Sequence, residues 1–383
     1  MYGKIFCFLI LSLLVIPAWA MDESGAAGSL LTNEHVLQIH SLFGIGLAVE
    51  HNHKYSAAYE LARAIAYKQA RECVIVKKCV DILARNKKLP SELQKELDVV
   101  VVEAACRRRR ALSSAEQQKL DNALARSAFC PKYAVMQELL QRGADPNHAN
   151  GIGLEIVCAS SCNPSLPALW LAYGANPRFG GALVFANNGD VVKLLVRSGA
   201  PIDCCETMGG GGAYFLPVTF KMARNADFDT LVWLLHHGAD PNVWSRTEGY
   251  TLIYSVLEGE NALDSVVALL YYGARFYQAC YDHESCRSKT SLEKAQEIDK
   301  SMRQAQPWHA VYELLTALTE LKRKGELAHF NLRDVHSSAE YISLGISHGS
   351  AKLIQASVAA VVKAGVRADD EDRAYEGECG TST

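Results

Sequence analysis

A five-residue theme recurs along the middle of the chain and limits what it can fold into more than any other feature. It reads Gly143-Ala144-Asp145-Pro146-Asn147, Gly174-Ala175-Asn176-Pro177-Arg178, Gly199-Ala200-Pro201-Ile202-Asp203, Gly238-Ala239-Asp240-Pro241-Asn242 and Gly273-Ala274-Arg275-Phe276-Tyr277. The leading glycines lie 31, 25, 39 and 35 residues apart. Four and three positions before them stand Leu139/Leu140, Trp170/Leu171, Leu195/Val196, Leu234/Leu235 and Leu269/Leu270, and seven before them Met136, Pro167, Val192, Leu231 and Val266. Positions three and four apart share one helix face, so each unit predicts an amphipathic helix that runs up to its glycine. Glycine can close the helix in the left-handed conformation, and a proline soon after cannot continue it. One such element cannot hide its apolar side alone, whereas several stacked in register can.

The residues around these endings resemble the ankyrin repeat, in which two antiparallel helices precede a projecting loop. Leu183-Val184-Phe185-Ala186, the turn Asn188-Gly189, Val191-Val192 with Leu194-Leu195, and the closing Gly199-Ala200 follow the family pattern best. Gly249-Tyr250-Thr251-Leu252 opens another unit but lacks the proline and histidine usual there. The 25-residue unit is short for a full repeat. The 39-residue unit carries Gly209-Gly210-Gly211-Gly212, read as a loop enlargement, and Asn163-Pro164 falls at an inter-helix turn. The resemblance covers residues 128–277 and implies an all-α, ankyrin-repeat helical solenoid with additional helical flanks at 21–127 and 278–366.

In the first flank, 56–67 and 76–84 have helical patterns, and Pro90-Ser91-Glu92 looks like a helix start. Val99 to Val102 reads as buried helix. Beyond Tyr277, two helices are expected over 291–305 and 308–324. Residues 341–365 predict a further degenerate repeat stopping at Gly365, and the acidic run from Asp369 opens a disordered tail over 367–383.

Residues 1–20 combine Lys4, an apolar run from Ile5 to Ile16 and Pro17-Ala18-Trp19-Ala20, which is the order of a cleaved secretory signal. The apolar run is shorter than the ~20 residues a spanning helix needs. Loss of Lys4 takes the net charge from −3 to −4, which gives no general attraction to nucleic acid or anionic lipid. Of 12 cysteines, all but Cys7 would remain after cleavage, in a secreted or periplasmic setting that permits disulfides. The odd number left implies one thiol free or paired between chains. Cys280 and Cys286 are the favoured pair because the polar loop between them can turn back, and Cys158 and Cys162 read as small core residues.

No constellation for catalysis stands out. The arginine run 107–110 has no second basic patch beside it, so nucleic acid is not an expected partner. Cys280, His283 and Cys286 lack a fourth ligand for zinc. His51-Asn52-His53 matches the tripeptide of a nuclease family without that family's wider ligand pattern. The glycines at 209–212 follow no strand and precede no Gly-Lys-Ser. A non-enzymatic protein is therefore expected, with no cofactor or metal, no small-molecule substrate, no stable membrane insertion and an unidentified protein partner. The resemblance places that partner on the loop tips and the concave face, at Asn147, His148, Arg178, Phe179, Trp244, Arg246, Arg275, Phe276 and Tyr277. The alternatives are an enzyme or toxin domain in the flanks, and an envelope component joined by intermolecular disulfides.

Overall fold

The structure, a computed structural model, describes residues 71–377 apart from 112–113, 161–162, 180, 204–215, 226, 246–248 and 283–286. The signal-like segment, His51, His53, the helix expected at 56–67, the four-glycine run, Cys162 and residues 378–383 lie outside the described residues. So do the side chains of Arg107 to Arg110.

The described chain is predominantly helical. Helix α1 covers residues 71–84 and α2 covers Ser91–Ala111. Short helices then alternate in hairpins: α3 (Ser114–Ser127) with α4 (Tyr133–Gln141), α5 (His148–Ser160) with α6 (Ser165–Ala172), α7 (Ala182–Phe185) with α8 (Gly189–Arg197). They continue as α9 (Val218–Arg224) with α10 (Phe228–His236), α11 (Leu252–Ser255) with α12 (Ala262–Tyr271), and α13 (Ser291–Ser301) with α14 (Trp308–Lys324). Two 3-10 turns, Leu327–His329 and Leu332–Asp334, lead to α15 (Ser338–Ser343) and the long α16 (His348–Gly377). The only sheet pieces among the described residues are antiparallel pairs: β1 (Trp244–Ser245) with β2 (Tyr250–Thr251), and β3 (Cys280–Asp282) with β4 (Arg287–Lys289).

Neighbouring hairpins pack in chain order. The first helices α3, α5, α7, α9, α11 and α13 form one row, each touching the next, and α8, α10, α12 and α14 do the same in a second row. Between the rows runs one continuous core that holds Trp170, Trp233, Leu194, Leu195 and Phe220, all essentially without solvent exposure. Burying each such side chain contributes about 1.5–3 kcal/mol, far more than helix propensity supplies to segments of four to ten residues.

Local chemistry sets the ends of the helices. Asn188 caps α8 by accepting from the amides of Asp190 (2.8 Å) and Val191 (3.3 Å), and Asp227 caps α10 through the Thr230 amide (3.1 Å). Gly189 must be small for a tertiary reason, because a Cβ there would lie 2.1 Å from Thr230 Oγ1 in the next hairpin. The theme glycines 143, 174, 199, 238 and 273 have φ between 85° and 97°. The alanine after each donates its amide back to the carbonyl five residues earlier, as Ala144 does to Leu139 (3.0 Å) and Ala274 to Leu269 (2.9 Å). Gly325 and Gly345 close helices in the same way, through Glu326 to Leu321 and Ile346 to Tyr341. No alanine follows either of them, so the pentapeptide theme did not include them.

Three expectations for the flanks change. Residues 367–377 are the last turns of α16, not a disordered tail. Their acidic run meets basic residues of the second helices: Asp369 with His236 (2.8 Å), Asp372 with His237 (2.7 Å), and Glu371 with Lys193 (3.0 Å). Gly365 lies inside α16 and does not end it; a Cβ there would meet the Tyr272 hydroxyl at an ordinary contact distance of 3.5 Å, and its φ is not left-handed. Val100 is buried in α2 as expected, but Val99 and Val102 are exposed.

Both flanks thus fold back onto the second-helix row. Near the start of the chain, Cys73 accepts from Gln141 (2.7 Å) and Glu72 from Tyr173 (3.4 Å). The two flanks meet at Arg197, whose guanidinium lies 5.2 Å from the Trp233 ring centre. Its Nη1 donates to the Asn86 carbonyl (2.9 Å) and its Nη2 to Asp372 (2.9 Å). Replacing Arg197 with Met keeps the stem and removes both joints. The expected loss is about 2 kcal/mol of unfolding free energy in denaturant titration, with faster amide exchange at 83–88 and 366–374. Unchanged exchange at both places would show that Arg197 does not hold the flanks.

Candidate functional site

The edge formed by the turns after the second helices is stitched by side chains at the fifth position of the theme. Asn147 donates to the Gly174 carbonyl (2.9 Å) and accepts from the Asn176 amide (2.7 Å). Arg178 donates from Nε to the Gly199 carbonyl (3.1 Å). Asp203 accepts from the Asp240 amide at 3.1 and 3.2 Å. Asn242 donates to the Gly273 carbonyl (3.3 Å) and accepts from the Arg275 amide (2.7 Å). Asp121 begins the series by accepting from the Asp145 amide (2.7 Å). Backbone groups left over at one helix end are thereby satisfied by the preceding turn, and all five turns stand in a row.

The stitch fails at its fifth member. Tyr277 stands where an amide, carboxylate or guanidinium stands in the other turns, and among the described residues its phenol makes no bridge of the kind Asn147 makes. Lys322 lies over its ring, 3.3 Å from the centroid. Between 270–277 and 327–333 the chain leaves a pocket of about 410 Å3. Its lining includes Tyr271, Tyr272, Tyr277, Leu327, Phe330, Arg275 and Arg333. Arg333 is held flat: its Nε donates to the Tyr271 carbonyl (3.0 Å), and its guanidinium lies 4.9 Å from the Tyr271 ring centre and 5.6 Å from that of Tyr272. Burial, followed by the neighbouring Tyr271, raises the Tyr272 phenol above its ordinary pKa, against the pull of Arg333.

The expected partner-binding residues separate into groups. Asn147 and Arg178 are stitches. His148 is placed by Asn122, 3.3 Å from its Nε2, just before the left-handed residues Ala149 and Asn150. Phe179 is 44% exposed and Trp244 38%, so both present apolar surface to solvent. Arg246 lies outside the described residues. Arg275 and Tyr277 line the pocket with exposed side chains. Phe276 is corrected from a loop tip to a core residue: it is 3% exposed, its ring turned inward and edge-on to Tyr277 at 5.6 Å. Cys280 is a buried free thiol that accepts from the Thr251 amide (3.4 Å), and Cys286 lies outside the described residues. Cys158 is fully buried, and burial raises its thiol pKa.

Sequence reading missed Tyr271, Tyr272, Lys322, Phe330 and Arg333. The replacement of a polar fifth residue by Tyr277 was a visible signal, but its meaning depended on what that residue does elsewhere. Among the described residues, no group of three or more His, Cys, Asp and Glu is placed to hold a metal, and no helix is long and apolar enough to cross a membrane.

The Asp203 stitch is the least favourable of the four. Burial raises its carboxyl pKa; the Asp240 amide opposes this and the Asp240 charge adds to it. A raised acid pKa means the folded state binds the proton more tightly, so stability falls as pH rises through the window above the ordinary carboxylate range. Asp203→Asn, the residue present at 147 and 242, removes that loss and offers a donor to the Gly238 carbonyl. Near neutral pH a gain of roughly 1 kcal/mol is expected, with a flatter stability profile between acid and neutral pH in urea titrations. No protein-family model matches the chain, and no curated protein sequence matches it.

Proposed function

We propose that this chain is an exported, non-catalytic ankyrin-repeat protein that binds a protein partner along the edge formed by its turns. The carrying observation is the stitched row itself. Five turns are held rigidly side by side while Phe179, Trp244, Arg275 and Tyr277 stay exposed. Aromatic and arginine side chains on a rigid frame lose little entropy on binding and dominate interface energies. Also in favour are the glycine-closed hairpins, two of whose spacings (31 and 35 residues) lie close to the roughly 33 the family uses, and the flanks, which occupy the second-helix row and so leave the turns as the accessible polar-aromatic edge. Export rests on the order of charge, apolar run and small residues in 1–20.

Two measurements test this reading. Full-length protein recovered from the expressing cell's exported fraction is expected to begin at Met21; an intact Met1 there would reject cleavage. The recovered protein, tagged at its C-terminus, is expected to retain a defined set of partners in affinity capture. The double variant Phe179→Ala/Trp244→Ala should weaken retention by roughly 30-fold or more, the value of one anchor of about 2 kcal/mol, with helical circular dichroism unchanged. Equal retention by the variant would remove this edge as the binding face.

A further inference from the structure

We propose that the pocket between 270–277 and 327–333 binds an acidic peptide segment, a carboxylate lying at Arg275 and Arg333 and a neighbouring apolar side chain against Leu327 and Phe330. This deepens the interaction reading above by naming the chemistry of the partner. Four observations carry it. The lining residues comprise two guanidiniums and no carboxylate. The Arg275 side chain is exposed, with no partner among the described residues, and its backbone amide is held by Asn242 (2.7 Å). Arg333 is fixed by the Tyr271 carbonyl and two tyrosine rings, which leaves Nη1 and Nη2 without an acceptor among the described residues and pointed by a rigid stem. A guanidinium whose orientation is already set loses little entropy on pairing with a carboxylate.

The volume and the walls select within anions. About 410 Å3 is at the low end of ligand cavities and larger than a carboxylate fills alone. The remaining wall is apolar and aromatic, supplied by Leu270, Leu318, Leu327, Phe330 and Leu332. An acidic residue beside a large apolar one satisfies both parts; a bare anion satisfies only the first. Asp369, whose charge reaches Tyr272, is hydrogen-bonded to His236 at 2.8 Å and forms no ion pair with either arginine among the described residues. Nucleic acid is disfavoured because the pocket lining supplies only two cationic side chains, on a chain of net charge −3.

The test uses the full chain and a fluorescein-tagged hexapeptide of alternating glutamate and leucine, read by anisotropy at low salt. Saturable binding is expected, with a loss of about tenfold on Arg275→Gln and again on Arg333→Gln, and little change on Lys363→Gln, which lies on α16 away from the pocket. Tyr277→Asn, which restores the stitching residue, is expected to weaken the peptide without lowering helical content. If the Arg333 variant loses helical signal, the Arg275 and Tyr277 variants decide alone. The proposal is overturned if a glutamine–leucine peptide binds as well, if neither arginine variant differs from the parent, or if no saturation is reached. It is also overturned if millimolar inorganic phosphate displaces the peptide completely, because the site then takes a bare anion. The peptide result and cellular capture separate the two readings. Peptide failure with capture intact rejects the pocket, whereas capture unaffected by Phe179→Ala/Trp244→Ala rejects the wider edge.

Discussion

Every second helix that stops at a left-handed glycine leaves carbonyls and amides that nothing in its own hairpin can fully satisfy. The structure answers this with side chains from the turn before. Asn147, Arg178, Asp203 and Asn242 each reach one unit forward, so the same contacts that complete hydrogen bonding also set how far apart hairpins sit. Register between neighbours then follows, because a hairpin displaced along the row would lose both its stitch and the seat of its leucines between the helix rows. Close contacts such as Gly189 against Thr230 are tolerable only in that one register.

The two flanks solve a different problem. A row of short helix pairs leaves its second helices with one side uncovered, and isolated segments of eight to ten residues are unstable in water. Helices α1 and α2 cover the early members and α16 the later ones. The join is polar where it crosses the Lys193, Arg197, His236 and His237 positions, because those side chains face outward from otherwise apolar helices. An acidic helix end is the complementary surface. The same run of aspartates that cannot pack into an apolar core is therefore ordered as an electrostatic cover.

The pocket arises where these rules stop applying. Tyr277 makes no stitch among the described residues, the following turn is held by Arg333 on Tyr271 and Tyr272, and the gap between them is lined by cation and ring. A break in a regular series exposes groups that would otherwise be consumed by packing, so irregular units are natural places for recognition. Regular turns leave Phe179 and Trp244 as isolated exposed rings; the irregular one groups several side chains around a cavity.

Local chemistry alone was enough to locate the helix ends. The leucine spacing and the glycine at its end specify an amphipathic helix and its stop whatever surrounds them, so the endings at 143, 174, 199, 238 and 273 were legible, as were the starts at Ser91 and Trp308. Where a stop depends on partners, the sequence misled. Gly365 reads as a terminator but sits inside α16, which packs along α10 and α12 on both sides of it, and the acidic tail reads as disordered until Lys193, Arg197 and two histidines are placed opposite it. Phe276 looks like a loop tip by position and is drawn into the core by what lies beneath. Arg275 and Tyr277 could be named in advance, but not the cavity they share with Arg333, 56 residues beyond Tyr277. Periodicity reports on neighbours along one helix, whereas a cavity and a long-range ion pair depend on distances set only when separate helices have packed.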